Sequence, residues 1–136
     1  MSTLSTNDRP RLGYVILYVP DVAETLRFYE QAFGVERRFL HESGEYAELE
    51  TGATALAFAA EHSVPVPDVF VPNRLASKAA AAEVGLVVDD LQVAFDRALH
   101  AGATPVLAPV TKPWGQTIAY VRDLNGFLVE LCTEVK

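Results

Sequence analysis

An α+β fold of two tandem β-α-β-β-β modules is what this sequence predicts, and three observations carry the prediction. An apolar run from Tyr14 to Val19 ends in the acidic residue Asp21, and a second run from Glu83 to Val88 ends in Asp89 and Asp90. The two starts lie 69 residues apart. Each run is followed by a helix-period stretch that closes on glycine, Gly34 in the first copy and Gly102 in the second. Each copy then supplies further strand-like segments. A repeat this long marks two copies of one supersecondary unit, and such a unit rarely buries its sheet face alone.

Residues 1–10 read as a polar, flexible tail. Leu12 to Val19 is rich in β-branched and aromatic residues and reads as a strand. Asp21 is a good helix cap, and Glu24 three positions later completes a capping-box-like pair. Val22, Leu26, Tyr29 and Phe33 recur at helical spacing up to Gly34, which ends the helix as a left-handed residue would. Arg37 to His41 is a strand, Glu42 to Glu45 a turn, and Tyr46 to Glu50 and Thr54 to Ala60 a hairpin about Thr51-Gly52-Ala53. These close a first module over residues 11–60.

Residues 61–82 contain Pro65, Pro67 and Pro72 and little apolar periodicity, so they read as an inter-module linker, partly mobile, with an alanine run at 79–82 that suits a short helix. The second module, residues 83–133, opens with the strand at Glu83. An Asp90-capped helix carrying Leu91, Ala94, Phe95, Ala98 and Leu99 on one stripe follows. A short strand at Val106 to Ala108 leads into a loop from Pro109 to Gly115. Gln116 to Arg122 and Phe127 to Cys132 then pair across Asp123-Leu124-Asn125-Gly126, where Asn-Gly is a strong turn signal.

The chain has 136 residues and a net charge of −7, with no basic run. Nucleic acids and anionic membranes need a positive footprint, so neither is an expected partner. No segment approaches the ~20 apolar residues of a membrane span, and no apolar signal core precedes the first strand. Cys132 is the single cysteine, which leaves no internal disulfide. A cytoplasmic location is the expectation.

Gly13 to Asp21, Phe28-Tyr29 to Gly34, Glu83 to Leu91, and the run Arg122-Asp123-Leu124-Asn125-Gly126-Phe127-Leu128-Val129-Glu130-Leu131 together resemble the vicinal oxygen chelate superfamily. That family includes glyoxalases, bleomycin-resistance proteins and extradiol dioxygenases. The resemblance spans residues 11–133, and the run from Lys112 to Tyr120 is similar to a glyoxalase-like subgroup. It implies curved mixed sheets around a cup-shaped pocket, a homodimer, and a small-molecule ligand. In the metal-dependent members, ligands lie on the first and last strands of each module. Mapped onto this chain, those positions are Tyr14, Leu56, Glu83 and Glu130. Two are carboxylates. A divalent metal held by Glu83 and Glu130 with waters, and no cofactor at all, both stand as expectations. An iron dioxygenase needs two histidines and a carboxylate. His41, His62 and His100 fall in a turn, the linker and a helix end, which disfavours that chemistry.

Strand alternation places Glu83, Gly85 and Val87 on one sheet face and the apolar Val84, Leu86 and Val88 on the other, toward the helix. By the same parity Leu128, Glu130 and Cys132 share the face of Glu83. Two carboxylates side by side repel, and one takes up a proton or shares a cation, which suits general acid or base work. Glu130 and Glu83 are therefore the candidate catalytic residues. Solvation at a rim or pairing with Arg122 is the plainer alternative. Tyr14, Ile16 and Tyr18 share one face of the first strand, where the two tyrosines can stack on a ligand or fill a core. Trp114 can close over a ligand or anchor a subunit contact. Tyr14, Tyr18, Leu56 and Trp114 are the candidate ligand-binding residues. His62, at the edge of the first module, is a weak candidate as ligand or base. Two functions follow: a glyoxalase-like isomerase or lyase using Glu130 or Glu83 for proton transfer, or a metal-free protein that sequesters an aromatic or cationic compound.

Overall fold

A computed structural model describes residues 8–135, so most of the expected N-terminal tail lies outside the described residues. The first module contains β1 (Tyr14–Val19), α1 (Val22–Phe33), β2 (Arg37–Leu40), β3 (Tyr46–Leu49) and β4 (Ala55–Ala60). The second contains β5 (Glu83–Val87), α2 (Leu91–His100), β6 (Thr104–Thr111), β7 (Thr117–Arg122) and β8 (Leu128–Cys132). Each forms its own mixed sheet, in the order β1-β4-β3-β2 and β5-β8-β7-β6. The repeat in the sequence is thus a repeat in topology, with a parallel pair at one edge of the sheet, β1·β4 or β5·β8, in each copy.

The helix boundaries follow from local chemistry. The Asp21 carboxylate accepts from the Glu24 amide at 2.9 Å, and Asp90 accepts from the Val93 amide at 3.2 Å. Gly34 ends α1 at φ 69°, while α2 ends on Ala101 just before Gly102. No basic side chain of its own stands in the last turn of α1. Arg97 of α2 supplies one instead, donating Nε to the Gln31 carbonyl at 2.9 Å and Nη2 to the Glu30 carbonyl at 3.2 Å.

The helices pack on each other, and one apolar core runs through both modules. Leu26 and Tyr29 of α1, Phe58 of β4, Phe95 of α2, and Val129 and Leu131 of β8 belong to it. Polar groups cross the same boundary inside it. Tyr29 Oη donates to Asp123 Oδ2 at 2.6 Å, and Asn125 Nδ2 donates to Thr25 Oγ1 at 2.9 Å. Asp123 Oδ1 also accepts from the amides of Asn125 and Phe127, which shapes the β7–β8 turn. Burial pushes the Asp123 carboxyl above its ordinary range despite these donors.

Three expectations need correction. The strand β6 runs to Thr111, through Pro105 and Pro109, where a loop was expected from Pro109. It is an edge strand, and proline is tolerated where no ladder donor is required. The alanines at 79–82 form no helix. The connecting segment, expected to be partly mobile, is fastened along much of its length. It contains two short 3₁₀ turns, Glu61–Ser63 and Pro67–Val69. Beyond them Phe70 packs on Tyr18 with ring centres 4.7 Å apart, and Arg74 forms a two-pronged ion pair with Glu61. Asn73 bridges Asn125 O and Ala80 N, and the Arg122 guanidinium donates to the carbonyls of Arg74, Leu75 and Ser77.

Gly126 makes this fastening possible. Its φ is 90°, and a Cβ there would stand 2.6 Å from Arg122 Nη2 and 2.9 Å from the Arg74 carbonyl group. Gly126→Ala is expected to lower stability by about 1–3 kcal/mol, the range for a strained left-handed residue. A lower urea midpoint and faster proteolysis between residues 70 and 82 would register it.

Candidate functional site

The ladder β5·β8 pairs Glu83 with Leu128 and Gly85 with Glu130. Paired residues share a face, so Glu83, Gly85 and Glu130 lie together on the side turned away from the helices. On the next strand Tyr120 pairs with Glu130. Its hydroxyl reaches over to Glu83 and donates to Oε1 at 3.2 Å. The two carboxyl groups lie within hydrogen-bonding reach of each other. Gly85 leaves the space beside them open, since a Cβ there would sit 3.8 Å from Glu130 Oε1.

The electrostatics follow from this crowding. Burial raises the Glu130 carboxyl above its ordinary range, contact with Glu83 raises it further, and Lys112 partly opposes both. Tyr120 is raised by burial and then by the charges of Glu130 and Glu83, which keeps its phenol a donor. Cys132, next on the same face, is raised by burial and by both glutamates, so it remains a thiol rather than a nucleophile. The pair can hold one proton between two oxygens and exchange it with a bound molecule.

The structure brings together only part of the set named from sequence. Glu83 and Glu130 meet, and Tyr120, which strand parity did not single out, joins them. Its pairing could have been counted from the Asn125-Gly126 turn, about which residues 120 and 130 are symmetric. Tyr14 and Tyr18 belong to the other sheet, where they share a face with Ala55 and Ala59. Tyr18 is engaged there by Phe70. Leu56 requires a correction. It pairs with Val15, belongs to the helix-side core, and cannot face the same way as Tyr14. The residue that corresponds to Glu130 in the first module is Ala57. The turn before β4 has one more residue after its glycine than the turn before β8, which shifts the count by one.

Trp114 stands at the tip of the β6–β7 hairpin, 58% exposed, with its Nε1 donating to Gln116 at 3.1 Å. The Lys112 ammonium lies 5.9 Å from its ring centre. His62 is bound to Glu45 at 2.9 Å on the first module. Arg37 and Arg38 are taken by Glu30 and by Glu48 with Glu50, respectively. Arg122 is spent on the Gly126 carbonyl and on carbonyls of the connecting segment, so it does not neutralise the glutamate pair.

A metal held as the family resemblance implies would need donors at Tyr14, Ala57, Glu83 and Glu130. Alanine offers none, and among the described residues no group of three or more His, Cys, Asp or Glu is placed to hold a cation. The donor set does not fit such a site. No helix among the described residues is long and apolar enough to cross a membrane.

A family model described as the Glyoxalase/Bleomycin resistance protein/Dioxygenase superfamily matches residues 11–131. Among solved structures, a glyoxalase-related enzyme from Fulvimarina pelagi aligns with TM-score 0.76 at 20% identity, over 91% of this chain and 88% of that one. A glyoxalase/bleomycin resistance protein/dioxygenase family enzyme from Burkholderia phytofirmans PsJN aligns with TM-score 0.77 at 21% identity, over 93% and 100%. TioX from Micromonospora sp. ML1 aligns with TM-score 0.69 at 24% identity, over 91% and 98%. At these identities the likeness concerns the fold. No curated protein matches the chain.

Proposed function

Because the chain belongs to the glyoxalase/bleomycin resistance protein/dioxygenase superfamily, we propose that it is a small-molecule enzyme whose glutamate pair moves a proton on its substrate. The observation that carries this reading is the contact of Glu83 and Glu130 on one open face, with the Tyr120 hydroxyl on Glu83. Tyr120 holds Glu83 in place by donating its hydroxyl to Oε1. Glu130, raised by burial and by its neighbour, is the member that takes a proton from one substrate atom and returns one to the next. When the proton returns to the substrate nothing is gained or lost and the reaction is an isomerisation; when Glu130 hands it to a departing group, the C–H and leaving-group bonds give way to a double bond and the reaction is an elimination. No step requires a metal.

A second reading has its own support. The first module carries Tyr14 and Ala57 where metal-dependent members of the family place ligands, and Tyr18 shares the face of Tyr14. Such a surface suits a protein that binds an aromatic or cationic compound and leaves it unchanged. Homodimer formation, as the family resemblance implies, would serve either reading.

Incubating the protein with a panel of small oxo-compounds in D2O separates the two. The panel should include methylglyoxal–glutathione adduct, with and without added nickel, zinc, cobalt or manganese. Proton transfer predicts deuterium entering a substrate C–H position, seen by NMR, and no gain from metal. A compound that binds but stays unlabelled supports sequestration and removes the enzyme reading.

A further inference from the structure

Strand register puts Tyr18 of β1, Ala59 of β4 and Tyr46 of β3 in one row across the first sheet. Ala59 alternates with the core residues Phe58 and Ala60, so the row lies on the face turned away from the helices. Alternate strands stand ~9.6 Å apart, twice the spacing of neighbours. The small middle residue leaves the room between the two tyrosines unfilled. A cavity of about 380 Å3, open to solvent, lies there, with Tyr18, Tyr46, Ala59 and Ile16 in its lining. Each tyrosine is backed by a phenylalanine that stays out of the cavity. Phe70 packs on Tyr18 with ring centres 4.7 Å apart, and Phe39 on Tyr46 at 5.9 Å. The Tyr46 hydroxyl also donates to Glu48 Oε2 at 2.7 Å, which fixes its ring further.

We infer that this row is an aromatic clamp, and that the ligand it takes is a flat N-heteroaromatic cation of one or two fused rings. The inference rests on the first module acting as a binding surface, the second reading of its function, and not on proton transfer. A ring between two aromatic faces needs about 7 Å, ~3.5 Å to each, so the strand spacing admits one flat ring and not two. The volume stands at the small end of ligand sites, which run from about 300 Å3 upward. Charge is selected by the lining. Tyrosine faces are negative, and Glu45 stands at the rim. Its partner there is His62, an exposed imidazole 2.9 Å away that the charge of a ligand can replace. The rim imidazole of His41 is tied through Nδ1 to Ser43 at 2.8 Å. Neither lysine nor arginine lines the cavity, and Arg38 is held by Glu48 and Glu50. The net charge of −7 draws a cation in.

The probes are N-methylquinolinium, its saturated and puckered counterpart N,N-dimethyldecahydroquinolinium, neutral 2-naphthylmethanol, anionic 2-naphthoate, and the bulky cation tetraphenylphosphonium, titrated by calorimetry or NMR. N-methylquinolinium should bind about three- to thirtyfold tighter than the saturated cation, the worth of a cation between aromatic faces. The neutral bicycle should bind more weakly than N-methylquinolinium, and 2-naphthoate more weakly still. Tyr18→Leu and Tyr46→Leu should each weaken N-methylquinolinium about three- to thirtyfold and erase its advantage over the saturated cation. Ala59→Leu should abolish binding by filling the slot from its floor. Should that variant fail to fold, Tyr46→Leu reads the same slot from its wall.

Equal binding of the flat and the puckered cation overturns the clamp, and so does binding that neither tyrosine variant changes. A loss with Glu83→Gln and none with Tyr46→Leu puts the cation on the glutamate pair and overturns it as well. Tetraphenylphosphonium or 2-naphthoate binding tightest, untouched by Tyr46→Leu, removes the clamp and leaves sequestration standing. No binding by any aromatic probe removes both.

Discussion

Asp123→Ala is expected to cost about 3–5 kcal/mol of stability, a large share of what a domain this size possesses. The carboxylate is 1% exposed and accepts three hydrogen bonds, from the Tyr29 hydroxyl and the amides of Asn125 and Phe127. Alanine leaves all three donors without a partner, two of them buried and the Phe127 amide part-buried, and each buried orphan costs about 1–3 kcal/mol before relaxation. Asp123→Asn keeps an acceptor for the two amides, and the Tyr29 hydroxyl can turn to accept, so about 1–2 kcal/mol is expected. Chemical denaturation gives these values. A double-mutant cycle with Tyr29→Phe isolates the bond between the modules. Equal losses for the alanine and asparagine variants would count against the three-donor account.

The second large effect is on chemistry. Glu130→Gln should lower turnover, or deuterium wash-in, by about 10²–10⁴-fold, the worth of a positioned general acid or base. The same variant has a signature that needs no substrate. In the fold Glu130 lies above its ordinary value of 4.5. Its contribution to stability is thus present below about pH 4.5 and is lost as pH rises through the folded value. Glutamine has no such loss. The wild type should therefore lose stability relative to Glu130→Gln as pH is raised from 4 to neutrality. Glu83→Gln should flatten the same pH dependence by removing the charge that faces Glu130. Parallel pH curves for wild type and Glu130→Gln would refute the coupling.

Much of this arrangement was legible in the chain. The repeated apolar run ending in aspartate located the first strand and the helix start of both modules, because the same residues serve the same strand-to-helix corner twice. Alternation along β5 and β8 put Glu83 and Glu130 on one face, since the apolar partners Val84, Leu86, Val129 and Leu131 must meet the helices. Illegible features were those set by contacts far apart in sequence. The prolines of residues 61–82 speak for a linker, and nothing local announces that Arg122, some 45 residues on from Ser77, will fasten it. Pro109 reads as a strand breaker until the topology makes β6 an edge. Leu56 went astray by one position because turn length, unlike strand parity, is not repeated between the halves.

The guanidinium of Arg97 on the final carbonyls of α1 has a consequence for how the duplicated halves depend on each other. The N-terminal half has no basic group of its own to close that helix, and its Tyr29 hydroxyl looks to an aspartate borne by the C-terminal half. A gene divided near residue 66 should yield two polypeptides that each fold poorly alone and recover structure on mixing. The halves are reciprocal fragments, usable as a complementation pair, rather than two autonomous copies on one string.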